Sequence, residues 1–518
     1  MGSSDEAELS ISATEQPLLS SSTSYSEQYP APIAYTHSPR PIRDLPFLLL
    51  FLLLTLSTFA IGFLSLARRN PDKTLVSSFR YNPSLSSCVL SHLQSPPPLT
   101  LSPFLEYLIP TLIITLLLLP AITFSLLFLL RHYAKHLIYS LIPFFFLTPS
   151  FLNAYWFVAC AVGASCHNAF PLTYRIVLLV FVFLLIGVII WIIVSNWHRI
   201  ELTVQIVQVS AVALAENIAL LSVLPVLLFL YALIYFTPVV FFLVFATWNG
   251  KVVPRAHRGF YECVWREAKW VQWYFALAVI MLLWSAATMV EAQVYVISGT
   301  VAQWYFTNDS SRRKKSLRSS LSNAFGPSFG TVSFSGMVMG AVRLVRTILD
   351  AAKQNRELGG CVNLILKCCA DFLLSAFDFV NKFTVNFAAI TGEAYCSSAK
   401  MTYELLKRNL LSAVFVETIS TRLLAGIIFV ISSVYAILVY AILRATSALG
   451  TELYLIASLT WLLLMVVLGY FVYVLDNVVD AVYICYAIDR DRGDVSKDHI
   501  HQIFAQLPKS RNHGSSLV

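Results

Sequence analysis

The sequence predicts an all-α, polytopic helical membrane protein with about ten transmembrane helices. Three observations lead there. The 518 residues are 57% hydrophobic and only 12% charged, whereas a soluble domain is about a quarter charged. The mean hydropathy is +0.71. The apolar residues also fall in blocks, many reaching the roughly 20 residues that a helix needs to cross a bilayer.

Residues 1–44 are polar and Ser-rich and contain no apolar signal-peptide core. They read as a disordered cytosolic tail, which leaves the first span to act as the targeting signal. Within the tail, TEQPLL at 14–19 loosely resembles an acidic dileucine sorting signal, with Glu15 one position too close to the leucines. A transmembrane domain follows over 45–495, and a cytosolic C-terminal tail over 496–518.

Candidate spans cover 45–67, 104–130, 137–164, 174–195, 219–246, 271–306, 328–350, about 375–395, 423–443 and 450–475. The sixth is over-long and is expected to tilt or to extend beyond the bilayer. The eighth contains Asp378, Asn381, Lys382, Asn386 and Glu393. It reads either as an interfacial helix or as a span packed wholly against protein. Loop 68–103 carries prolines at 71, 83, 96, 97 and 98 and reads as a short irregular connection. Residues 196–218 have apolar positions at helical spacing with polar interruptions, which predicts a helix on or near the cytosolic face. Gly336 and Gly340 form a GxxxG, a pattern of close helix packing in membranes.

The net charge is +8, but the basic residues lie in short loops, where they set topology and do not suggest nucleic acid. With the N-terminus inside, the inside loops hold Arg131, Lys135, Arg199, the run RRKK at 312–315, Lys400, Lys407, Arg408 and Arg422. The sequon at Asn308 then faces the cytosol and stays unglycosylated. The nine cysteines have no zinc-ligand spacing and lie mostly in or beside apolar helices. They read as inert thiols, and their odd number excludes complete intramolecular pairing. No P-loop, nucleophile elbow, HExxH or Rossmann glycine motif is present. That argues against an enzyme, and no metal or cofactor is predicted.

The candidate site begins at Glu291, a carboxylate inside the sixth span. A charge near the bilayer centre costs several kcal/mol unless it faces protein or water. At helical spacing Trp284, Thr288, Glu291, Tyr295 and Ala302 share a face with Tyr305 close by, and Trp304 lies near. Gly299 leaves room for a backbone or a ligand. Aromatic faces bind a quaternary ammonium by cation–π attraction, about 0.5–2 kcal/mol each, and a carboxylate compensates its charge. An organic cation fits this surface. The bland alternative is that Glu291 pairs with a neighbouring helix and the rings only pack. A second acidic set lies on the last span, where Tyr473, Asp476, Asp480 and Tyr483 share a face. Charge at a helix exit is usually solvated, so only Asp480 is kept as a candidate.

Four stretches then carry a resemblance: SGTVAQWYF at 298–306, GTVSFSGMVMGAVRLVRTILD at 330–350, FAAITGEAYCSSAKMTYELLKRN at 387–409 and VVDAVYICYAIDRD at 478–491. Together they resemble the choline transporter-like family, including its plant and fungal (pH-nine-sensitive) branch. The most specific match is Cys396, Ser398, Ala399 and Lys400, followed by an amphipathic helix. The pair Cys368-Cys369 also matches. Animal members carry a large glycosylated loop after the first span. That loop is short here, which favours the plant or fungal branch. The resemblance implies about ten spans, cytosolic termini, and transport of choline or a related quaternary ammonium, with proton exchange proposed for members. It makes the plasma membrane the expected location, with an endomembrane as the alternative.

The mechanism expected is alternating access. The trimethylammonium sits against Trp284, Tyr295 and Trp304 or Tyr305, and Glu291 neutralises it. Burial favours the neutral carboxyl and an adjacent cation the charged one, so Glu291, with Asp480 as the second candidate, could couple transport to a proton. The competing reading is a non-transporting membrane component that supports lipid supply or trafficking. Membrane lipid is the one other expected partner, and the sequence does not indicate an oligomeric state.

Overall fold

The computed structural model describes residues 40–82, 87–90, 103–162, 166, 170–257, 260–307, 315–354, 361–446, 450 and 452–507. TEQPLL, Asn308 and positions 312–314 of the basic run lie outside them. Among the described residues, eight helices are long and apolar enough to cross a membrane. The chain is a helical polytopic membrane protein.

Helix α1 (Leu45–Ala67) begins after Asp44, whose left-handed backbone (φ 50°) turns the chain into Pro46. Helix α2 (Pro103–Val162) holds 60 residues, about 90 Å at 1.5 Å per residue. That is three times a hydrocarbon core of roughly 30 Å. Its backbone leaves helical geometry at Tyr133 (φ −129°, ψ 27°), among Arg131, His132 and Lys135. The helix therefore supplies two crossings, corresponding to the second and third predicted spans. Its four internal prolines are tolerated, as in other membrane helices, because neighbouring groups take up the freed carbonyls. Helices α3 (Leu172–Ser195) and α5 (Ala219–Ala246, with a π-helical turn at Ala232–Phe236) are crossings. Between them α4 (Trp197–Glu216) is amphipathic, and its Leu202, Ile206, Val207 and Leu214 are buried.

Two antiparallel hairpins interrupt the helices: β1 (Phe79–Asn82) with β2 (Ser87–Leu90), and β3 (Gly250–His257) with β4 (Phe260–Glu267). The irregular connection expected at 68–103 is thus partly ordered, with a 3-10 segment Pro71–Ser78 leading into the first hairpin. Cys88 and Cys263 form a disulfide that joins the two hairpins across 175 residues, and Tyr81 stacks on Tyr261. Cys160 and Cys166 form a second disulfide. This corrects the expectation of inert thiols for four of the nine cysteines; Cys396 and Cys485 are free. Cys88 and Cys263 come from loops far apart in sequence, whereas Cys160, near the end of α2, and Cys166 are six residues apart.

The core is formed by α6 (Lys269–Phe306), α9 (Cys361–Thr391) and α11 (Glu452–Arg492), with α7 (Ser316–Ala324), α8 (Phe329–Gln354), α10 (Tyr395–Thr446) and α12 (Asp498–Phe504) around them. Residues 291–305 of α6 and 474–489 of α11 are buried without exception. Their first halves carry lipid-type exposed side chains such as Trp273, Ile280, Leu455 and Leu462. Each long helix therefore passes from a bilayer-facing half into a protein-enclosed half, which explains the over-length of the sixth span. In α9, residues 381–390 are buried except for Lys382. Its first half exposes Phe372, Leu373 and Phe377, so only the second half packs against protein, and α9 is not among the eight helices long and apolar enough to cross a membrane. A Cβ on Gly336 would collide with Thr288, so the GxxxG is where α8 closes onto α6.

Candidate functional site

Glu291 lines a cavity of about 510 Å³ between α6, α8, α9, α10 and α11, within the ~300–1,000 Å³ typical of small-molecule sites. Helix α6 presents Val290, Glu291 and Val294. Helix α9 contributes Asp378, Asn381 and Lys382, at spacings of three and four that put them on one face. Those are three of the five polar residues that made the eighth span ambiguous. Helix α8 adds Arg343 and Arg346, α10 adds Thr421 and Arg422, and α11 adds Tyr473 and Asn477.

The carboxylate is tied into a short polar chain. Ser335 Oγ lies 3.1 Å from Glu291 Oε2 and 2.9 Å from Asn381 Oδ1, and the Tyr395 hydroxyl donates to the same Oδ1 at 2.7 Å. The Tyr395 N–H donates to Asp44 Oδ2 at 2.9 Å, so the chain runs from the residue ahead of α1 to Glu291. The Ser335 hydroxyl carries one proton. It donates to Glu291 when that group is ionised, and accepts from it while donating to Asn381 when Glu291 is protonated. Either charge state is satisfied in place.

Ion pairs border the cavity. Arg346 meets Asp378 at 3.0 Å. Lys382 bridges Asp476 at 2.9 Å and Asp480 at 2.5 Å. Thr421 donates to Asp476 at 2.8 Å. Asp480 is fully buried behind Lys382 and is not solvated at a helix exit. Tyr473 and Phe379 are the aromatic side chains lining the cavity, and the Tyr473 hydroxyl reaches Val290 O at 3.4 Å.

The aromatic residues of the predicted face go elsewhere. Trp284 donates its indole N–H to Ser333 O at 2.9 Å and packs edge-on against Phe51. The Tyr295 hydroxyl accepts from Arg40 and donates to Ser328 Oγ at 2.8 Å. Trp304 donates to Glu216 at 2.8 Å, and its ring faces Lys497 Nζ at 3.8 Å. Tyr305 is buried against Phe306. Trp304 is thirteen positions beyond Glu291, about 20 Å along the helix. The room at Gly299 is taken by Ser320 of α7, at 2.9 Å from where a Cβ would stand. Of the predicted set, the structure therefore brings Glu291 to the cavity and Asp480 just behind it; it does not gather the four rings there. Sequence reasoning missed Arg343 and Arg346, although two arginines three apart inside an apolar span are themselves a signal. A second cavity of about 600 Å³ between α2 and α3 is lined by Trp156, Phe170, Tyr174 and other apolar side chains, with no charged group among the described residues.

Residues 180–491 match the family model described as plasma-membrane choline transporter. Choline transporter-like 2 of Anopheles gambiae is 26% identical over 236 residues, covering 44% of this chain and 30% of the relative. Choline transporter-like protein 3 of Bos taurus is 25% identical over 315 residues, covering 58% and 46%. Protein PNS1 of Gibberella zeae is 26% identical over 176 residues, covering 33% and 32%. The matches thus take in less than half the length of each of these relatives. The family match runs from α3 through α11, includes every helix that lines the Glu291 cavity and covers more than half of the sequence: the chain belongs to the choline transporter family.

Proposed function

We propose that this protein moves choline or a related organic cation across a membrane, the plasma membrane by preference, by alternating access around the Glu291 cavity. The observation that carries the reading is a carboxylate enclosed between five helices with two aromatic side chains beside it. A trimethylammonium offers no N–H to donate, so it is held by π faces and by a counter-charge. Tyr473 and Phe379 supply the faces and Glu291 the charge. Trp284, Tyr295, Trp304 and Tyr305 act around this site by holding helices and the entering chain in position.

Proton exchange is part of the proposal. Ser335 satisfies both states of Glu291, so a proton can leave when a cation arrives and return when it departs. Asp480 fixes Lys382 at the cavity edge and acts on the site through that ammonium. Two relatives of similar sequence are named as choline transporter-like, which supports the substrate class.

The test is flux. Purified protein in liposomes should take up labelled choline well above empty liposomes, and faster when a proton gradient runs the opposite way. Uptake equal to that of empty liposomes would remove the reading.

A further inference from the structure

Two buried amide atoms at the cavity have no partner among the described residues. Asn381 of α9 is 2% exposed and Asn477 of α11 is 1% exposed, and both line the cavity beside Glu291. Asn381 Oδ1 faces the hydroxyls of Tyr395 and Ser335, while its Nδ2, a donor, meets no acceptor. In Asn477 the roles are reversed. Its Nδ2 donates to Tyr473 O at 2.7 Å, and its Oδ1, an acceptor, meets no donor. A buried polar atom left unpaired costs about 1–3 kcal/mol, and the large majority of such atoms in folded proteins are paired. Asp378 Oδ1 also lines the cavity without a partner, but that side chain is 32% exposed and is held by Arg346 through Oδ2. The two asparagines are fixed next to the ammonium site: Asn381 shares Ser335 with Glu291, and Asn477 is one helical turn from Tyr473.

We infer that Asn381 and Asn477 select a quaternary ammonium alcohol: with the trimethylammonium between Glu291 and Tyr473, the ligand hydroxyl accepts from Asn381 Nδ2 and donates to Asn477 Oδ1. A hydroxyl has one O–H and two acceptor lone pairs, so this single group satisfies both the donor and the acceptor that the protein leaves over. In choline a short ethylene link joins the hydroxyl to the nitrogen, and Glu291 and Asn381 are themselves joined through one serine hydroxyl. A site built to hydrogen-bond a hydroxyl rejects the analogue that lacks it, because its polar groups are then left unpaired. This rests on the reading of the cavity as an ammonium site and narrows it from organic cations in general to those with a free hydroxyl.

The test uses the full chain in nanodiscs with two labelled probes, choline and propyltrimethylammonium, in which a methyl group replaces the hydroxyl at nearly the same shape. Choline should bind about thirtyfold more tightly, the worth of two hydrogen bonds, although the analogue is the more apolar ligand. Asn477→Leu and Asn381→Leu should each cut that preference to about fivefold or less through loss of choline affinity, with propyltrimethylammonium binding kept within about threefold. Retained propyltrimethylammonium binding shows that the variant is folded and its ammonium site intact. Asn381 also holds Tyr395 and Ser335, so Asn381→Leu can lose both ligands; the wild-type comparison and Asn477→Leu then decide. Equal affinities in the wild type, or a preference that persists in full in Asn477→Leu, overturns the inference and leaves the ammonium site standing. Binding of neither probe to the wild type overturns both.

Discussion

Glu291 is one carboxylate with one hydroxyl contact, and its replacement isolates its charge. Glu291→Gln keeps the size and a hydrogen bond to Ser335. If the group compensates the ligand and carries the proton, choline uptake should fall about tenfold, equivalent to ~1.4 kcal/mol, and its dependence on pH should flatten. Normal uptake across pH would make the carboxylate structural. Tyr295 is a different case, because its hydroxyl joins Arg40 and Ser328. Removing that hydroxyl leaves a buried donor without its partner, at about 1–3 kcal/mol. Tyr295→Phe should therefore lower the unfolding midpoint while choline affinity stays unchanged. Reduced affinity at unchanged stability would place the ring at the ligand. Glu291 was legible in the sequence because an acid in an apolar window has few explanations. The partners of the rings were not. Helical periodicity gives the face of one helix, but it does not say which neighbour covers each turn of that face, and here α1, α4, α7 and α8 all take part.

Helix α9 shows what a polar segment does when protein surrounds it. Lys382 is placed between Asp476 and Asp480 of α11, and its removal leaves two carboxylates without their shared cation. Breaking a buried pair from one side costs about 3–5 kcal/mol. Lys382→Met should lower the unfolding midpoint sharply, and Asp480→Asn added to it should restore part of the loss. Independent, additive losses would mean that the pairing is not formed. The spacing of Asp378, Asn381 and Lys382 gave the polar face from sequence, yet whether that face met water, lipid or another helix depended on α11, nearly a hundred residues away. The hairpins were illegible for a related reason: their strands are short, and the Cys88–Cys263 disulfide that joins them closes a separation of 175 residues. Cys88→Ser and Cys263→Ser should each destabilise the protein, by the ~2–5 kcal/mol typical of a lost native disulfide, and the double variant by no more than either alone.

At the scale of the molecule, the apolar blocks defined the crossings, and the break at Tyr133 matches the loop between the second and third spans. Following the helices in order puts both disulfides in loops that the charge distribution assigned to the outside, the side compatible with an oxidising compartment. If α9 supplies a tenth crossing, the same order returns α12 to the side where α1 begins. Membrane-impermeant labelling should therefore find Arg40 and Phe504 flanking regions on one face and the hairpins on the other; labelling of the two flanks from opposite faces would break the crossing count, beginning with α9. The central claim is that the cavity beside Glu291 holds the transported ligand. A density map of the protein with choline bound tests it most directly. The account predicts a cation-sized feature between Glu291 and Tyr473; density around Trp304 and Tyr305 instead, with the Glu291 cavity empty, would contradict it.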